Sequence, residues 1–258
     1  MPEIWSIERG VDGALAQCTA LRVEGIAHGF GLRTHDVGPA GSTTSAHVRA
    51  RDRLAALSSC GSGAECLLFQ VHGARIVRGA AIETGGAEAD AAIEGVERLG
   101  DRFLAVRTAD CVPILLASRD GAFVAAVHAG WRGTARGIVR HTVQALADGC
   151  CPPATLIAAA GPAIGPCCYP VSPQVAADVA EASGVAVESV VETGRDEPRL
   201  DLREANRQQM LASGIPAASI HMAPWCTSCA ADLFFSHRRE GAASGRQLSL
   251  IGPVSGRP

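Results

Sequence analysis

Three residues able to bind a transition metal stand at the ends of short apolar runs. His72 closes "LLFQVHGAR", Cys111 leads into the run of "TADCVPILLA", and His128 closes the run in "VAAVHAGWRGT". Their separations of 39 and 17 positions are too long for a zinc knuckle. They suit a site assembled in space from three strand ends. A His, Cys, His set leaves one of four tetrahedral positions open, which marks a catalytic rather than a structural zinc. The same ligand types suit copper with a weak fourth ligand. Spacing alone also allows two loop histidines and a buried cysteine.

The elements that must position these residues are legible from periodicity. Runs rich in Val, Ile, Leu and Ala predict strands at Ile26–Gly31, Leu67–Val71, Phe103–Arg107, Val112–Ala117, Ala122–Val127, Thr155–Ala160, Val185–Val191, Ser219–Met222 and Gln247–Ile251. Helices are expected at Ser45–Leu57, Arg132–Asp148, Ser172–Ala182 (with Ser172 as N-cap) and Asp201–Ser213. Gly85–Ala92 and Gly241–Gly245 read as loops. Strands outnumber helices and come in runs, so a mixed sheet covered by helices fits better than strict alternation. No repeat or linker divides the chain, and residues 1–258 are expected to form one domain. His128 then occupies a strand-to-helix corner at a strand's carboxyl end, where open α/β sheets bind ligands.

Composition narrows the chemistry further. All 23 basic residues are arginine and none is lysine, which excludes a Schiff base, a lysine general base and a Walker-type phosphate loop. Arginine is left as the cation for phosphate, a task its planar fork suits. A net charge of −3 gives no nucleic-acid footprint. The N-terminal "MPEIWSIERG" is not a secretory signal, and no apolar stretch reaches the roughly 20 residues that span a bilayer. The expectation is a cytoplasmic protein, with no membrane partner, in which most of the ten cysteines are reduced. "CTSC", Cys226 to Cys229, has redox or zinc spacing without a second pair of that type, and the doublets Cys150-Cys151 and Cys167-Cys168 read as packing.

"QVHG", "ADAAI", "TADCVPILL", "HAGWRGT", "GPAIGPCCY", "LDLREANRQQM", "WCT", "FFSHRREG" and "GRQLSLI", in this order, resemble the laccase-domain or YfiH-like family, labelled polyphenol oxidases and also described as zinc-dependent purine nucleoside phosphorylases. The likeness covers roughly residues 65 to 252. It implies an α/β (α+β) fold in one domain, with two mixed β-sheets packed between helices as α/β/β/α layers. It also implies that His72, Cys111 and His128 bind the metal. Two departures stand out. His35-Asp36 follows Arg33 where the family carries paired glycines, with a Ser-Leu-Asn-Leu-Gly stretch missing beyond, and Pro170 replaces the usual glutamate of "CCYPV".

The resemblance implies phosphorolysis of adenosine, inosine or methylthioadenosine, with deamination of adenosine as a further activity of an open zinc site. Nucleoside and phosphate are then the small-molecule partners. Arg33 and Arg132, the latter at a helix N-terminus, are expected to neutralise phosphate. His237 and Arg238 are candidates for the pocket rim, a surface ion pair being the plainer alternative. Asp110, beside Cys111, is the candidate to orient a histidine or move a proton; a turn cap is its structural alternative. Trp131 either walls the pocket or belongs to the core. Competing readings are a copper-dependent phenol oxidase, an amidase in peptidoglycan-precursor editing with Cys111 as nucleophile and His128 as base, and a zinc-stabilised binding domain.

Overall fold

A computed structural model describes residues 4–10, 13–39, 44–59, 64–82, 86–192 and 197–254. Two six-stranded sheets dominate. The first runs β1 (Trp5–Gly10), β2 (Gly13–Cys18), β3 (Ile26–Gly31), β16 (Gln247–Pro253), β9 (Phe103–Thr108), β4 (Glu65–Cys66); the second runs β15 (Ile220–Met222), β12 (Leu156–Ala160), β10 (Val112–Ser118), β11 (Phe123–Ala129), β8 (Ala91–Gly95), β6 (Ile76–Arg78). The pairs β4–β9, β12–β15 and β6–β8 are parallel and the others antiparallel, so both sheets are mixed. Two small pairs complete the set, β5 (Leu68–Phe69) with β7 (Ala87–Glu88) and β13 (Val191–Glu192) with β14 (Arg199–Leu200).

The period-2 pattern of the central strands explains the layering. Leu115 and Ala117 of β10 and Val124 and Ala126 of β11 meet Leu104 and Val106 of β9 between the sheets. Their neighbours Ile114, Leu116, Ala125 and Val127 face the other way, onto Ile138, Val139, Val143 and Leu146 of α4 (Ile138–Asp148), with α5 (Pro173–Ser183) and α6 (Leu202–Ala212) alongside. On the outside of the first sheet, Phe103, Ala105, Leu248 and Leu250 pack against Leu54 and Ala55 of α1 (Ser45–Leu57). Helix, sheet, sheet and helices thus form four layers, as the family likeness implies. Strands buried on both faces carry continuous apolar sequence.

Most expected elements occur, and the differences have local causes. The helix anticipated over Arg132–Asp148 is two, α3 (Trp131–Ala135) and α4, because Gly137 takes φ 71° and turns the chain between them. Ser172 caps α5 by accepting from the Val175 amide, and Asp201 caps α6 by accepting from Arg203 and Glu204. Val185–Val191 is not a strand: Val187–Ser189 form a 3-10 turn and pairing begins only at Val191, since Ala186, Glu188 and Ser189 face solvent. The loop expected over Gly85–Ala92 contains β7 and the start of β8; Gly85 itself lies outside the described residues. The hairpin β1–β2 and the short helices α2 (Val96–Leu99) and α7 (His237–Glu240) were not anticipated. No described helix is long and apolar enough to cross a membrane.

Candidate active site

β11 delivers His128 in phase with Val124 and Ala126, on the face that looks between the sheets, at the point where that layer ends. Cys111 precedes β10, the antiparallel neighbour of β11, and Val112 pairs with Ala129 across the ladder. His72 sits in the turn after β5. The ligand atoms of His72, Cys111 and His128 lie within 4.8 Å of one another, and the two imidazoles meet edge to face with centroids 4.9 Å apart. The structure thus brings together the three residues whose spacing in sequence suggested a metal.

Gly130 explains the small residue after His128. A Cβ there would stand 3.0 Å from Cys111 Sγ and 3.1 Å from His72 Cδ2, so any side chain crowds two of the three ligands. Gly133 is equally constrained, its Cβ position lying 2.8 Å from the Gly73 carbonyl oxygen.

Asp90 organises both histidines. Its carboxylate is fully buried and accepts from the amides of His72 (2.9 Å), Gly73 (2.6 Å) and Val71 (3.3 Å). Its Oδ1 also lies 2.8 Å from His128 Nδ1. With Nδ1–H donated to Asp90, the lone pair of Nε2 is the one available to a metal. The three amides fasten a turn in which His72 holds φ 58°, a left-handed conformation that costs a β-carbon residue of the order of 1 kcal/mol. Burial favours the protonated carboxyl, but His128 and the amides outweigh it and hold Asp90 below the usual carboxylate range. Burial likewise opposes ionisation of Cys111, yet the adjacent His128 and His72 bring its thiol down to about 6. Burial disfavours charge on His128, and the Cys111 thiolate and Asp90 carboxylate outweigh it, placing the imidazolium at about 9. The pair thus eases Cys111 toward the thiolate and His128 toward the imidazolium, and a metal binding through His128 Nε2 displaces the proton held there.

The triad opens into a cavity of about 720 Å³, within the range of about 300–1,000 Å³ typical of small-molecule sites. Trp131, Tyr169 and Ile164 supply apolar wall; Arg132, Arg238 and Arg246 supply cations. None of these three guanidiniums has a carboxylate within ion-pair distance among the described residues. Arg132 lies over the Trp131 ring at 4.5 Å and Arg238 over Tyr169 at 5.4 Å. Arg107 also reaches the cavity, but a buried bidentate pair with Glu65 already neutralises it. Burial raises the Tyr169 phenol to about 12, so it stays protonated.

Two expected roles move. Arg33 does not line the cavity: its guanidinium pairs with Glu240 and stacks on Phe235 at 4.7 Å, fixing the β3 exit to α7. The cations that do line it from unanticipated positions are Arg246 and Arg107. Asp110 lines the cavity but orients neither histidine, because its Oδ1 accepts from Thr227 Oγ1 (2.7 Å) and its Oδ2 from the Arg238 amide (2.6 Å). At φ 94° it straps the Thr227–Arg238 segment to the Cys111 corner, while the histidine-orienting carboxylate is Asp90. His237 and Arg238 line the cavity, and Trp131 serves both wall and core. After Arg33, His35 is buried against Gly13, and Asp36 accepts from the Gly38 and Arg246 amides. Asp36 therefore anchors Arg246, the residue just before β16. Residues 40–43 of this stretch lie outside the described residues.

A purine nucleoside phosphorylase, YlmD, of Geobacillus stearothermophilus is 41% identical over 198 residues, spanning 71% of this chain and 70% of that protein. A purine nucleoside phosphorylase, YfiH, of Shigella flexneri is 32% identical over 96% of both chains. An adenosine deaminase, RL5, of an unknown prokaryotic organism is 38% identical over 64% of each. The crystal structure of YlmD from Geobacillus stearothermophilus superposes with a TM-score of 0.83 at 32% identity, covering 98% of this chain and 99% of that one. Residues 18–253, which include His72, Cys111 and His128, match the model of one family, and the chain belongs to that family, multi-copper polyphenol oxidoreductase laccase.

Proposed function

We propose that the protein is a zinc-dependent purine nucleoside phosphorylase. The observation that carries this reading is the juxtaposition, in one cavity, of a His72, Cys111, His128 set with Arg132, Arg238 and Arg246, cations that have no carboxylate within ion-pair distance among the described residues. Phosphorolysis needs a phosphate oxygen aimed at the anomeric carbon and charge stabilisation as the bond to the purine breaks. The three guanidiniums hold the phosphate and orient it. Trp131 and Tyr169 offer ring faces and apolar surface to the purine. Asp90 keeps His128 with Nε2 toward the ion, and Asp110 holds the rim in place through Thr227 and the Arg238 amide. When bound, zinc supplies a Lewis acid with an open coordination position beside the reacting centre.

The donor set fits zinc, two imidazoles and one thiolate being common ligands of catalytic zinc. Copper accepts the same three, but multicopper oxidation passes electrons among several ions, and among the described residues this is the one candidate group that contains histidine. Adenosine deamination is the second activity supported, by the likeness to RL5 and by an open metal position able to activate water.

The deciding experiment incubates purified, metal-quantified protein with adenosine, inosine and methylthioadenosine, with and without phosphate, and identifies products by mass spectrometry. Free purine and a pentose 1-phosphate, formed only with phosphate, are expected. Release of inosine from adenosine without phosphate would assign deamination instead, and oxidation of phenols with no nucleoside turnover would overturn the proposal.

A further inference from the structure

We propose that Cys167, Cys168, Cys226 and Cys229 form a second metal site, which holds one zinc ion through four thiolates and ties together two segments that wall the cavity. The four Sγ atoms all lie within 4.8 Å of one another. Cys229 Sγ stands 3.5 Å from that of Cys167 and 3.4 Å from that of Cys168. A tetrahedral ion with Zn–S bonds of about 2.3 Å places its sulfurs about 3.8 Å apart. Disulfide-bonded sulfurs would be about 2.05 Å apart, and one thiol equidistant from two others describes a common centre rather than a pair. In an iron–sulfur cluster the cysteines are divided among several irons, which spreads them further than a set clustered this closely. Thiolates disfavour magnesium and calcium.

The surroundings fit a metal-bound thiolate set. The Gly165 amide donates to Cys226 Sγ at 3.2 Å, as an N–H group does to a thiolate. A zinc ion with four thiolates carries two net negative charges, and arginines border it: Arg199 donates to the Cys167 carbonyl (2.8 Å), and Arg239 to those of Thr227 and Ser228 (2.8 Å each). Binding converts four thiols to thiolates and releases their protons, with no oxidant or reductant required.

The fold has a use for such a staple. Residues 223–236, between β15 and α7, contain no helix or strand, and they meet the segment entering the 3-10 turn Pro166–Cys168 through the bridge of Ala163 with Cys226, the Thr227 amide on the Ala163 carbonyl and the Gly165 amide on Cys226 Sγ. A connection of that length without regular structure gains from a further restraint. The turn leads to Tyr169 in the cavity wall, and the long connection carries Thr227, bonded to Asp110, before reaching His237 and Arg238. An ion at the cysteines would thus fix both sides of the rim. This inference does not depend on the proposed reaction or on the histidine-containing site.

The test is metal stoichiometry in reduced, zinc-replete full-length protein. Two zinc ions per chain are expected, with one lost in Cys226→Ser/Cys229→Ser, a different one lost in Cys111→Ser, and a lower melting temperature in the double variant. A second arm uses the wild-type chain alone, so that misfolding of a variant decides nothing. Cys167, Cys168, Cys226 and Cys229 should resist alkylation until a chelator is added. Cobalt(II) loading should give an intense thiolate-to-metal absorption that survives in Cys111→Ser. One zinc per chain, retained in the double variant, would overturn the proposal. So would alkylation of the four cysteines at the same rate with and without zinc, or a disulfide among them with no zinc uptake.

Discussion

Replacing Asp90 by asparagine puts an amide nitrogen where both side-chain oxygens now accept hydrogen bonds. If the nitrogen takes the Oδ2 place, it confronts the Gly73 and Val71 amides, and two buried donors lose their acceptor. If it takes the Oδ1 place, it confronts the His72 amide, and His128 can pair with it only by moving its proton from Nδ1 to Nε2, the nitrogen a metal needs. Either orientation harms the turn or the ligand. Loss of one charge-assisted bond and one stranded donor costs about 3 kcal/mol, which lowers the melting temperature of a chain this size by roughly 6–12 °C. Loss of a carboxylate that orients a ligating histidine weakens zinc binding by about 10–100-fold. Differential scanning fluorimetry in chelator isolates the first effect, and competition with a chromophoric zinc chelator at a temperature where the variant is folded isolates the second. A variant that melts and binds zinc like the wild type would refute the role given to Asp90.

Gly130→Ala should fold normally, since φ of −78° suits alanine, but bind zinc about tenfold more weakly, because the new methyl forces Cys111 and His72 apart; unchanged affinity in the same chelator competition would remove the steric argument. Arg246→Ala should raise the KM for phosphate by roughly 10- to 100-fold, with little change in the KM for nucleoside, as expected from losing a charge-assisted contact of about 1.5–3 kcal/mol; steady-state kinetics with each substrate varied decides it. His28, buried with Nε2 accepting from the Cys18 amide, has a pKa lowered to about 4, chiefly by burial. Because its folded value lies below its unfolded value of 6.5, its contribution is complete above that value and declines as pH falls toward 4, by about 2 kcal/mol at pH 5. His28→Gln should therefore flatten the loss of stability between pH 7 and pH 5 in urea unfolding, and an unaltered slope would contradict the assignment.

Where the sequence spoke clearly, it did so through strong local signals. β3 and α1 match their expected limits, because an apolar run and a periodic helix each decide the backbone locally. The grouping of His72, Cys111 and His128 was legible because His and Cys beside small residues at strand ends carry both chemistry and position. Asp90 was not, although it lies in the quoted "ADAAI" block, because its role exists only when it meets both the His72 turn, 18 positions before it, and His128, 38 positions after it. β8 escaped notice for a related reason: alanine-rich, with Ile93 its one β-branched residue, it carries little of the signal of a strand. Arg33 shows the opposite failure. An arginine near a glycine-poor loop suggested phosphate, but Glu240, more than two hundred positions away, claims it. The cysteine doublet read as packing and the CTSC turn read alone become one cluster only in three dimensions.

The reading of this protein as a metal-dependent phosphorylase is tested most directly by measuring, in one Cys111→Ser preparation, zinc bound at the histidine-containing site and phosphate-dependent cleavage of inosine. Zinc at that site and turnover should fall together while the chain stays folded, because serine weakens one of three ligands to a catalytic ion. Full turnover in protein that has lost this zinc would contradict metal dependence, and full zinc occupancy with no turnover would make Cys111 a nucleophile rather than a ligand.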